Sequence, residues 1–240
     1  MIITKTPFRM SFFGGGTDME EYFKENGGAV LSTSFDKYCY VNVRHLPPFF
    51  QYSTELSYSK TERVNSLEEI QHPAIREAMR MLDMQEIRLM YEADLPARSG
   101  LGTSSSFAVG MLHAFHALKG KYVDKKTLAD QAIHLERVLC KEAGGWQDQI
   151  AASFGGLNRI DFSAEGYRVS PILISPERKQ RLNENLMLFF TGFTRFSSEI
   201  QKANQSSSPE DKNVLLREMK ALVDEGADIL CSKGRDLDDF

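Results

Sequence analysis

The chain has 240 residues, of which 42% are hydrophobic and 26% are charged. These proportions are ordinary for a globular protein, and the length suffices for one large domain or two modest ones. The formal net charge of -4 gives no basic footprint for nucleic acid, although a local pocket can still attract an anion.

The cysteines and the apolar runs indicate the cellular compartment to expect for this protein. Cys39, Cys140 and Cys231 are far apart in the chain, with neither a disulfide framework nor a zinc spacing, so we interpret them as reduced thiols. The first residues lack the apolar region of a signal peptide, and no apolar run approaches the length of a membrane span. We therefore expect a cytoplasmic protein.

Apolar periodicity and turn residues predict the elements of the first half of the chain. They are a strand from Ile2 that ends at Pro7, a short helix at 21–28, one or two strands over 29–46, a possible hairpin within 52–64, a helix over 66–84 and a strand over 86–92. Glycine-rich segments separate the first strand from the helix and precede the next long helix.

The second half alternates longer helices with strands. The predicted elements are a helix over 105–118 ended by Gly120, a long helix from an Asp124 cap to about Ala143, a helix at 149–154, paired strands at 157–162 and 167–174, a helix at 175–185, a buried strand at 186–191 and a mostly helical polar segment from Ser197. Strands first, then paired helices, then a strand–helix return predict an α+β fold.

The segment GLGTSSS, which follows the predicted strand at 86–92, is the most informative stretch. Gly100 and Gly102 let the backbone bend sharply and approach a ligand. Thr103, Ser104 and Ser105 place hydroxyls and main-chain N–H groups at the positive end of the next helix. This pattern favours a phosphate site, with a hydroxyl available for Mg²⁺. The alternative is a plain helix cap after a flexible turn.

A carboxylate on the apolar stripe of the second long helix is a candidate metal ligand. The stripe is formed by Leu128, Ala132, Leu135, Leu139 and Ala143. Glu136 falls within the same arc. A buried carboxylate needs a metal ion or an arginine as partner. A glutamate at the edge of the stripe that reaches solvent fits the periodicity equally well.

Two aspartates beside glycines are further candidates. Asp148, between two glutamines, could orient a substrate hydroxyl and accept its proton, or could cap the helix at 149–154. Asp18 follows the run GGG and could bind sugar hydroxyls, while Arg9 could meet a phosphate with its planar fork.

Together these stretches resemble the GHMP kinase superfamily. Residues 96–104 are similar to its phosphate motif P-x-x-x-G-L-G-S-S, with Thr103 in place of the first serine, and PFRMSFFGGGTD is similar to its first motif. Within the superfamily, most of residues 1–200 resemble the D-glycero-D-manno-heptose 7-phosphate kinases, through TPFRMSFFGGGTD, VLSTSFDKYCYV, ADLPARSGLGTSSSF and GGWQDQIAASFGGLNRI.

The resemblance implies an ATP- and Mg²⁺-dependent sugar kinase that phosphorylates the anomeric hydroxyl of the heptose 7-phosphate and gives the 1,7-bisphosphate. Two alternatives stay open, namely a fucose or galactose kinase of the same fold and a non-catalytic nucleotide- or sugar-phosphate-binding module. The partners implied are the sugar phosphate and ATP, without nucleic acid or membrane. A homodimer is among the open oligomeric states.

The resemblance also assigns residues to roles. The ATP-binding residues would be Gly100, Leu101, Gly102, Thr103, Ser104 and Ser105. Ser104 and Glu136 would hold Mg²⁺, and Asp148 and Arg9 would be catalytic. The substrate-binding residues would be Gly15, Gly16, Thr17, Asp18, Arg98 and Arg195, with Arg9, Arg98 and Arg195 as candidate receptors of the 7-phosphate. A surface position without a ligand fits Arg195 equally well.

The implied fold is the GHMP kinase fold, an α+β architecture. An N-terminal ribosomal protein S5 domain 2-like domain over residues 1–180 would bind ATP. A ferredoxin-like C-terminal domain would begin at 181 and be incomplete at 240. The superfamily's third glycine-rich motif does not occur after Gly156, so we expect a truncated relative of these kinases.

Overall fold

The computed structural model describes residues 1–97, 99–189 and 209–240. The chain forms two compact units that interleave along the sequence. The first unit comprises Met1–Phe8, Phe35–Gly144 and Asp148–Phe154, and the second comprises Arg9–Ser34, Gly145–Gln147 and Gly155–Phe240. The predicted division into domains at residue 180 stays a prediction.

Seven strands and seven α-helices make up the described regular structure. The strands are β1 (Ile2–Phe13), β2 (Gly28–His45), β3 (Thr54–Ser57), β4 (Thr61–Val64), β5 (Ile87–Ala93), β6 (Leu157–Ser163) and β7 (Gly166–Pro171). The helices are α1 (Glu20–Asn26), α2 (Pro73–Met81), α3 (Thr103–Leu118), α4 (Lys125–Ile133), α5 (Gln147–Phe154), α6 (Pro176–Glu184) and α7 (Pro209–Cys231). Short 3₁₀ turns lie at Leu67–Glu69 and Leu237–Asp239, and a π-helix lies at His134–Leu139.

The long strand β2 is the common element of a mixed sheet, and its two ends pair with different strands. In the first unit the order is β4-β3-β5-β2, with β3 and β5 parallel and the other pairs antiparallel. In the second unit β2, β6 and β7 pair antiparallel. Strand β1 also pairs with β2. The mixed sheet with its helices confirms the predicted α+β class.

The core of the first unit lies between one face of its sheet and three helices. Alternate residues of the strands, such as Val43 and Leu89, are fully buried and pack with α2, α3 and α4. The long apolar helix α3 contributes Met111 and Phe115, both also fully buried.

A mid-helix glycine explains how closely α3 packs on the sheet. A Cβ at Gly110 would lie 2.7 Å from Thr6 Oγ1, so a side chain there would push the helix off β1. The Thr4 hydroxyl donates to the Gly110 carbonyl at 2.9 Å, and the Ser106 hydroxyl donates to the Pro7 carbonyl at 2.9 Å. These contacts fix the beginning of α3 against β1.

Three predicted elements are corrected by the structure. β1 does not end at Pro7 but continues to Phe13, because a strand can accommodate a proline where no ladder N–H is needed. The predicted helix over 66–84 divides, since Pro73 begins a new helix and disfavours helical backbone in the residue before it. The long helix after Asp124, whose cap is confirmed by a bond from the Thr127 N–H, becomes π-helical at residue 134.

The predicted buried strand at 186–191 is wrong for its described part. Residues 186–189 lie outside any strand, and Met187 is 79% exposed. No described strand pairs with this run, so its backbone groups have no ladder to join. Residues 190 and 191 lie outside the described part of the chain.

The structure bears on two expectations from the sequence, the state of the cysteines and the presence of membrane spans. Cys39, Cys140 and Cys231 are unpaired, and burial raises the pKa of the Cys39 thiol to about 12. Among the described helices, none is both long enough and apolar enough to span a bilayer.

We predict that His72 makes stability depend on pH. Its ring contacts Tyr58 and Phe107, and burial lowers its pKa from 6.5 despite the opposing charge of Glu62. Because the folded chain then binds fewer protons than the unfolded chain, stability is present above the ordinary value and is lost as the pH falls below it.

His72→Phe should therefore flatten the decrease in the free energy of unfolding between about pH 7 and 5, measured by urea titration. His113→Gln, at an exposed position of α3, is the matched control and should retain the wild-type slope. An unchanged slope in the His72 variant would contradict this account.

Candidate active site

The start of α3 has the features of an anion site. Gly102 immediately precedes the helix with φ 72° and Gly100 has φ 78°, a left-handed conformation that favours glycine. The helix begins at Thr103, two residues earlier than predicted, so the hydroxyls lie within its first turn. Among the described residues no side chain caps this end, and the first N–H groups of a helix lack intrahelical partners and can bind an anion.

Glu136 lies at the centre of a cluster of hydroxyl and amide donors. The carboxylate is 1% exposed, so the solvent-edge interpretation is wrong. Ser104 Oγ donates to Oε1 at 2.7 Å, Ser105 Oγ donates to Oε2 at 2.6 Å, and Gln149 Nε2 donates to Oε2. The candidate loop and the candidate metal ligand, 31 and 32 residues apart in the chain, therefore meet.

The charge of Glu136 is only loosely matched by an arginine. The Arg137 guanidinium is 4.0 Å from Oε2 and directs Nη1 to the carbonyls of Glu142 and Ala143, each at 3.1 Å. Neutral donors stabilise a buried carboxylate but do not cancel its charge, which favours the approach of a cation. The sequence left open a metal ion or an arginine as the partner of Glu136. An arginine is near, but at 4.0 Å it makes only a long ion pair.

The backbone that carries Glu136 is a π-helix. The Cys140 N–H donates to the Leu135 carbonyl, five residues back, at 2.9 Å. π-helical turns are rare and are often found at functional sites. The sequence predicted a regular helix to Ala143, because an apolar stripe does not distinguish the wider turn.

Gln149 is a site residue that sequence reasoning missed. It is fully buried, it donates to Glu136, and its Oε1 is a buried acceptor with no partner among the described residues. The signal was an amide among the apolar residues of α5, next to Ile150. Burying such a group is costly, which makes it a marker of a site.

Asp148 lies inside the first turn of α5 and not before it. The helix begins at Gln147, so the aspartate is its second residue, and it is half-buried. The capping interpretation required it to precede the helix. A carboxylate at this position is still favoured by the positive end of the helix.

In the second unit, the first glycine of the run GGG is required by close packing on β2. A Cβ at Gly14 would lie 2.0 Å from the Ala29 carbonyl oxygen. Thr17 is fully buried; its hydroxyl lies 2.8 Å from the carbonyls of Gly14 and Ala29 and accepts from the Ala29 N–H at 3.0 Å. The side chain of Thr17 is therefore occupied by backbone, and its role in substrate binding stays a prediction.

Asp18 joins this turn to the segment that leads into α5. Its carboxylate, 2% exposed, accepts from the N–H of Gly16 at 3.0 Å and from both the backbone N–H and the side-chain amide of Gln147 at 3.1 Å. The Trp146 N–H donates to the Asp18 carbonyl at 3.2 Å. Contact of Asp18 with sugar hydroxyls stays a prediction, whereas its described contacts position the residues just before Asp148.

The structure describes some of the remaining predicted site residues and not others. Gly15 and Gly16 belong to the same turn, and Gly16 borders a cavity of ≈ 180 Å³. Leu101 is half-buried in the loop before α3, and Arg9 is half-buried in β1. Arg98 and Arg195 lie outside the described residues.

The residues around Glu136 fit a magnesium ion. Ser104 Oγ and Glu136 Oε1 are hard oxygen donors 2.7 Å apart, near enough for one small cation to contact both. Within the described residues, no group of three or more His, Cys, Asp or Glu side chains forms a cage for a metal. A site with two protein oxygens is typical of Mg²⁺ that also binds substrate phosphates.

Comparison with known proteins confirms the resemblance to the GHMP kinases. Residues 68–156, which include the start of α3, Glu136 and Asp148, match the GHMP kinases N terminal domain. The matched part of the chain is thus similar to the N-terminal domain of the GHMP kinases.

The curated relatives are sugar kinases. The D-glycero-alpha-D-manno-heptose 7-phosphate kinase of Campylobacter jejuni is 25% identical over 226 residues, which cover 89% of this chain and 66% of that protein. The L-fucokinase/L-fucose-1-P guanylyltransferase of Bacteroides fragilis is 26% identical over 90% of this chain and 27% of its own length. The chain thus spans less than two thirds of either relative.

Solved structures show the same fold. A D-glycero-D-manno-heptose 1-phosphate kinase from Bacteroides thetaiotaomicron aligns with a TM-score of 0.78 and 22% identity, covering 96% of this chain and 73% of that one. The galactokinase of Lactococcus lactis, solved with galactose, aligns with a TM-score of 0.62 and 16% identity over 95% and 70% of the two chains. At these identities the likeness shows the fold alone.

We predict that Gly145 cannot be replaced by alanine. A Cβ there would lie 1.9 Å from Asp18 Oδ2, so the variant must break the contacts between Asp18 and the 145–147 segment. Gly145→Ala should lower the free energy of unfolding by about 1–3 kcal/mol, measured by urea titration.

Gly15→Ala is the control, because its new Cβ would meet the Gln147 amide at an ordinary 3.9 Å. It should cost less than Gly145→Ala by at least about 1 kcal/mol. Equal effects of the two substitutions would refute the packing argument.

Proposed function

We propose that this chain carries the nucleotide and metal site of an ATP-dependent sugar kinase. The observation that supports it best is the meeting of an uncapped, glycine-preceded helix start with a buried carboxylate, through the hydroxyls of Ser104 and Ser105. A plain helix cap needs one polar side chain, whereas here two hydroxyls and an amide surround Glu136.

The loop before α3 would bind the triphosphate of ATP. Its N–H groups point away from the helix, and the helix dipole adds about half a positive charge at this end. Among the described residues, a Cβ at Gly100 would meet no atom within 4 Å, which leaves room for phosphate oxygens. Binding here would neutralise and orient the reacting phosphates.

Ser104 and Glu136 would hold the magnesium ion that accompanies ATP. The exposed Ser104 hydroxyl is the one nearer to a ligand, and the buried Ser105 and Gln149 would keep the carboxylate oriented. When bound, magnesium neutralises charge on the transferred phosphoryl group. The protein's part is to hold the carboxylate in a fixed position.

Asp148 would orient the acceptor hydroxyl and receive its proton. The hydroxyl oxygen forms a bond to the γ-phosphorus, the bond from this phosphorus to the β,γ-bridging oxygen breaks, and ADP leaves. The hydroxyl proton passes to the Asp148 carboxylate. Asp18, through Trp146 and Gln147, would fix the start of the helix that carries this aspartate.

For the substrate we propose D-glycero-D-manno-heptose 7-phosphate, phosphorylated at the anomeric hydroxyl to the 1,7-bisphosphate. The supporting observation is that the Campylobacter jejuni relative, aligned over 89% of this chain, is a heptose 7-phosphate kinase. The fucokinase relative, at 26% identity, supports a free 6-deoxysugar as the second candidate. The names of the heptose kinases differ in the position of the phosphate, so the substrate must be measured.

The test is turnover of the full-length protein on a panel of heptose 7-phosphate, free heptose, fucose and galactose, with the new phosphate located by ³¹P–¹H NMR. We expect turnover of heptose 7-phosphate with the phosphate on the anomeric carbon. Asp148→Asn should lower kcat at least about 10²-fold and leave ADP affinity within about twofold, since only proton transfer is lost.

Asp124→Asn is the matched control, because Asp124 is an exposed helix cap of α4. It should keep wild-type turnover. Undiminished turnover in Asp148→Asn would remove the catalytic assignment. Preference for fucose would transfer the function to the second candidate, and preference for galactose would favour a galactose kinase of the same fold. Nucleotide binding without turnover on any sugar would favour the non-catalytic module.

A further inference from the structure

A row of four charged side chains crosses the face of the first unit's sheet that points away from its core. In the strand register, Arg44 of β2 is opposite Arg88 of β5, Arg88 is opposite Glu55 of β3, and Glu55 is opposite Arg63 of β4. Arg44 and Arg88 alternate with buried neighbours along their strands, so both project from the outer face. The row holds three cations and one anion.

The single carboxylate of the row is already shared. Glu55 Oε1 is 3.4 Å from Arg88 Nη2 and 4.0 Å from Arg63 Nη2, and Oε2 accepts from the Tyr52 hydroxyl at 2.8 Å. Arg44 has no ion pair with any described residue. Like charges directly opposite on neighbouring strands are destabilising, so the pair Arg44–Arg88 is an unfavourable arrangement in the ligand-free chain.

A cavity lies over this arginine pair. Its volume is ≈ 240 Å³, and it is lined by Met1, Asn42, Arg44, Arg88 and Met90. Arg88 Nε is a buried donor that finds no acceptor among the described residues, and Asn42 brings an amide to the same cavity. The lining therefore supplies donors and positive charge but no carboxylate.

We propose that this cavity binds a phosphate group, as inorganic phosphate or as a small phosphate monoester. The row carries a net charge of about +2, which matches the dianion that a phosphate monoester becomes above its second pKa of about 6. Two planar guanidinium groups side by side suit its oxygens, because each can donate two parallel hydrogen bonds. No lining residue belongs to the loop before α3 or to the Glu136 cluster, so this is a second anion site.

The charge arrangement has a measurable consequence for stability. A ligand that binds only the folded chain raises the melting temperature by mass action. In phosphate-free buffer, Arg44→Gln should not lower the melting temperature, because it removes a positive charge opposite Arg88 in the strand register. With phosphate, the wild type should gain stability and the variant should not.

The experiment combines thermal unfolding with NMR of the arginine Nε–Hε signals, in the presence of excess Mg²⁺ and ADP to occupy the proposed nucleotide site. Inorganic phosphate, a sugar monophosphate and AMP are titrated separately. We expect the Arg44 and Arg88 signals to shift with phosphate concentration. Arg44→Gln should weaken the response of Arg88 about tenfold or more, since a charged hydrogen-bonding partner is lost.

Arg168→Gln is the matched control, because Arg168 is an exposed arginine of β7, with 79% of its side chain accessible. It should respond to phosphate as the wild type does. The proposal is overturned if the Arg44 and Arg88 signals stay fixed, or if phosphate raises the melting temperature of Arg44→Gln as much as that of the wild type. Tighter binding of the sugar monophosphate or AMP than of phosphate would identify an organic monoester as the natural source.

Because the readout is local to the two arginines, it is independent of the kinase proposal. A chain that fails to bind ADP can still shift the Arg44 and Arg88 signals, and a chain that binds ADP can leave them unchanged. The two proposals can therefore fail separately.

Discussion

The burial of one carboxylate, Glu136, constrains the rest of the proposed active site. A carboxyl group with 1% exposure is stable only if its oxygens have hydrogen-bond partners, and the hydroxyls of Ser104 and Ser105 and the amide of Gln149 supply them. These donors come from α3 and α5, so both helices must be correctly placed before the carboxylate can be buried. Gly110, which lets α3 approach β1, is part of the same requirement.

The second unit applies the same principle to a different carboxylate. Asp18 is buried and satisfied by backbone and amide donors of the GGG turn and the 145–147 segment. Gly14 and Gly145 are glycines because carbonyl and carboxylate oxygens occupy the space of their side chains. The chain then runs directly from Gln147 into Asp148. Glu136 and Asp18 are both buried, so the loss of a hydrogen-bond partner would be costly at either carboxylate. Their contacts therefore hold the start of α3 and the start of α5 in place.

The sequence predicts the architecture well wherever local chemistry decides it. The glycine loop predicts the start of helix α3, and the capping aspartate Asp124 predicts the start of α4. The alternation of apolar residues predicts the hairpin of β3 and β4. The burial of Glu136, the π-helix and the role of Gln149 depend on contacts between residues far apart in sequence, which periodicity does not encode. The apolar run at 186–191 predicted a buried strand, but its described residues form none. Hydrophobicity alone does not show whether a neighbouring strand is available for pairing.

The central claim is that Glu136 is held ready for a metal–nucleotide complex. The most direct test is the affinity of Mn²⁺, as a spectroscopic substitute for Mg²⁺, for the protein with ADP, measured by EPR. Glu136→Gln should weaken it at least about tenfold, while Glu165→Gln, at an exposed position between β6 and β7, should leave it within about twofold. Equal Mn²⁺ affinity in the wild type and Glu136→Gln would contradict the account.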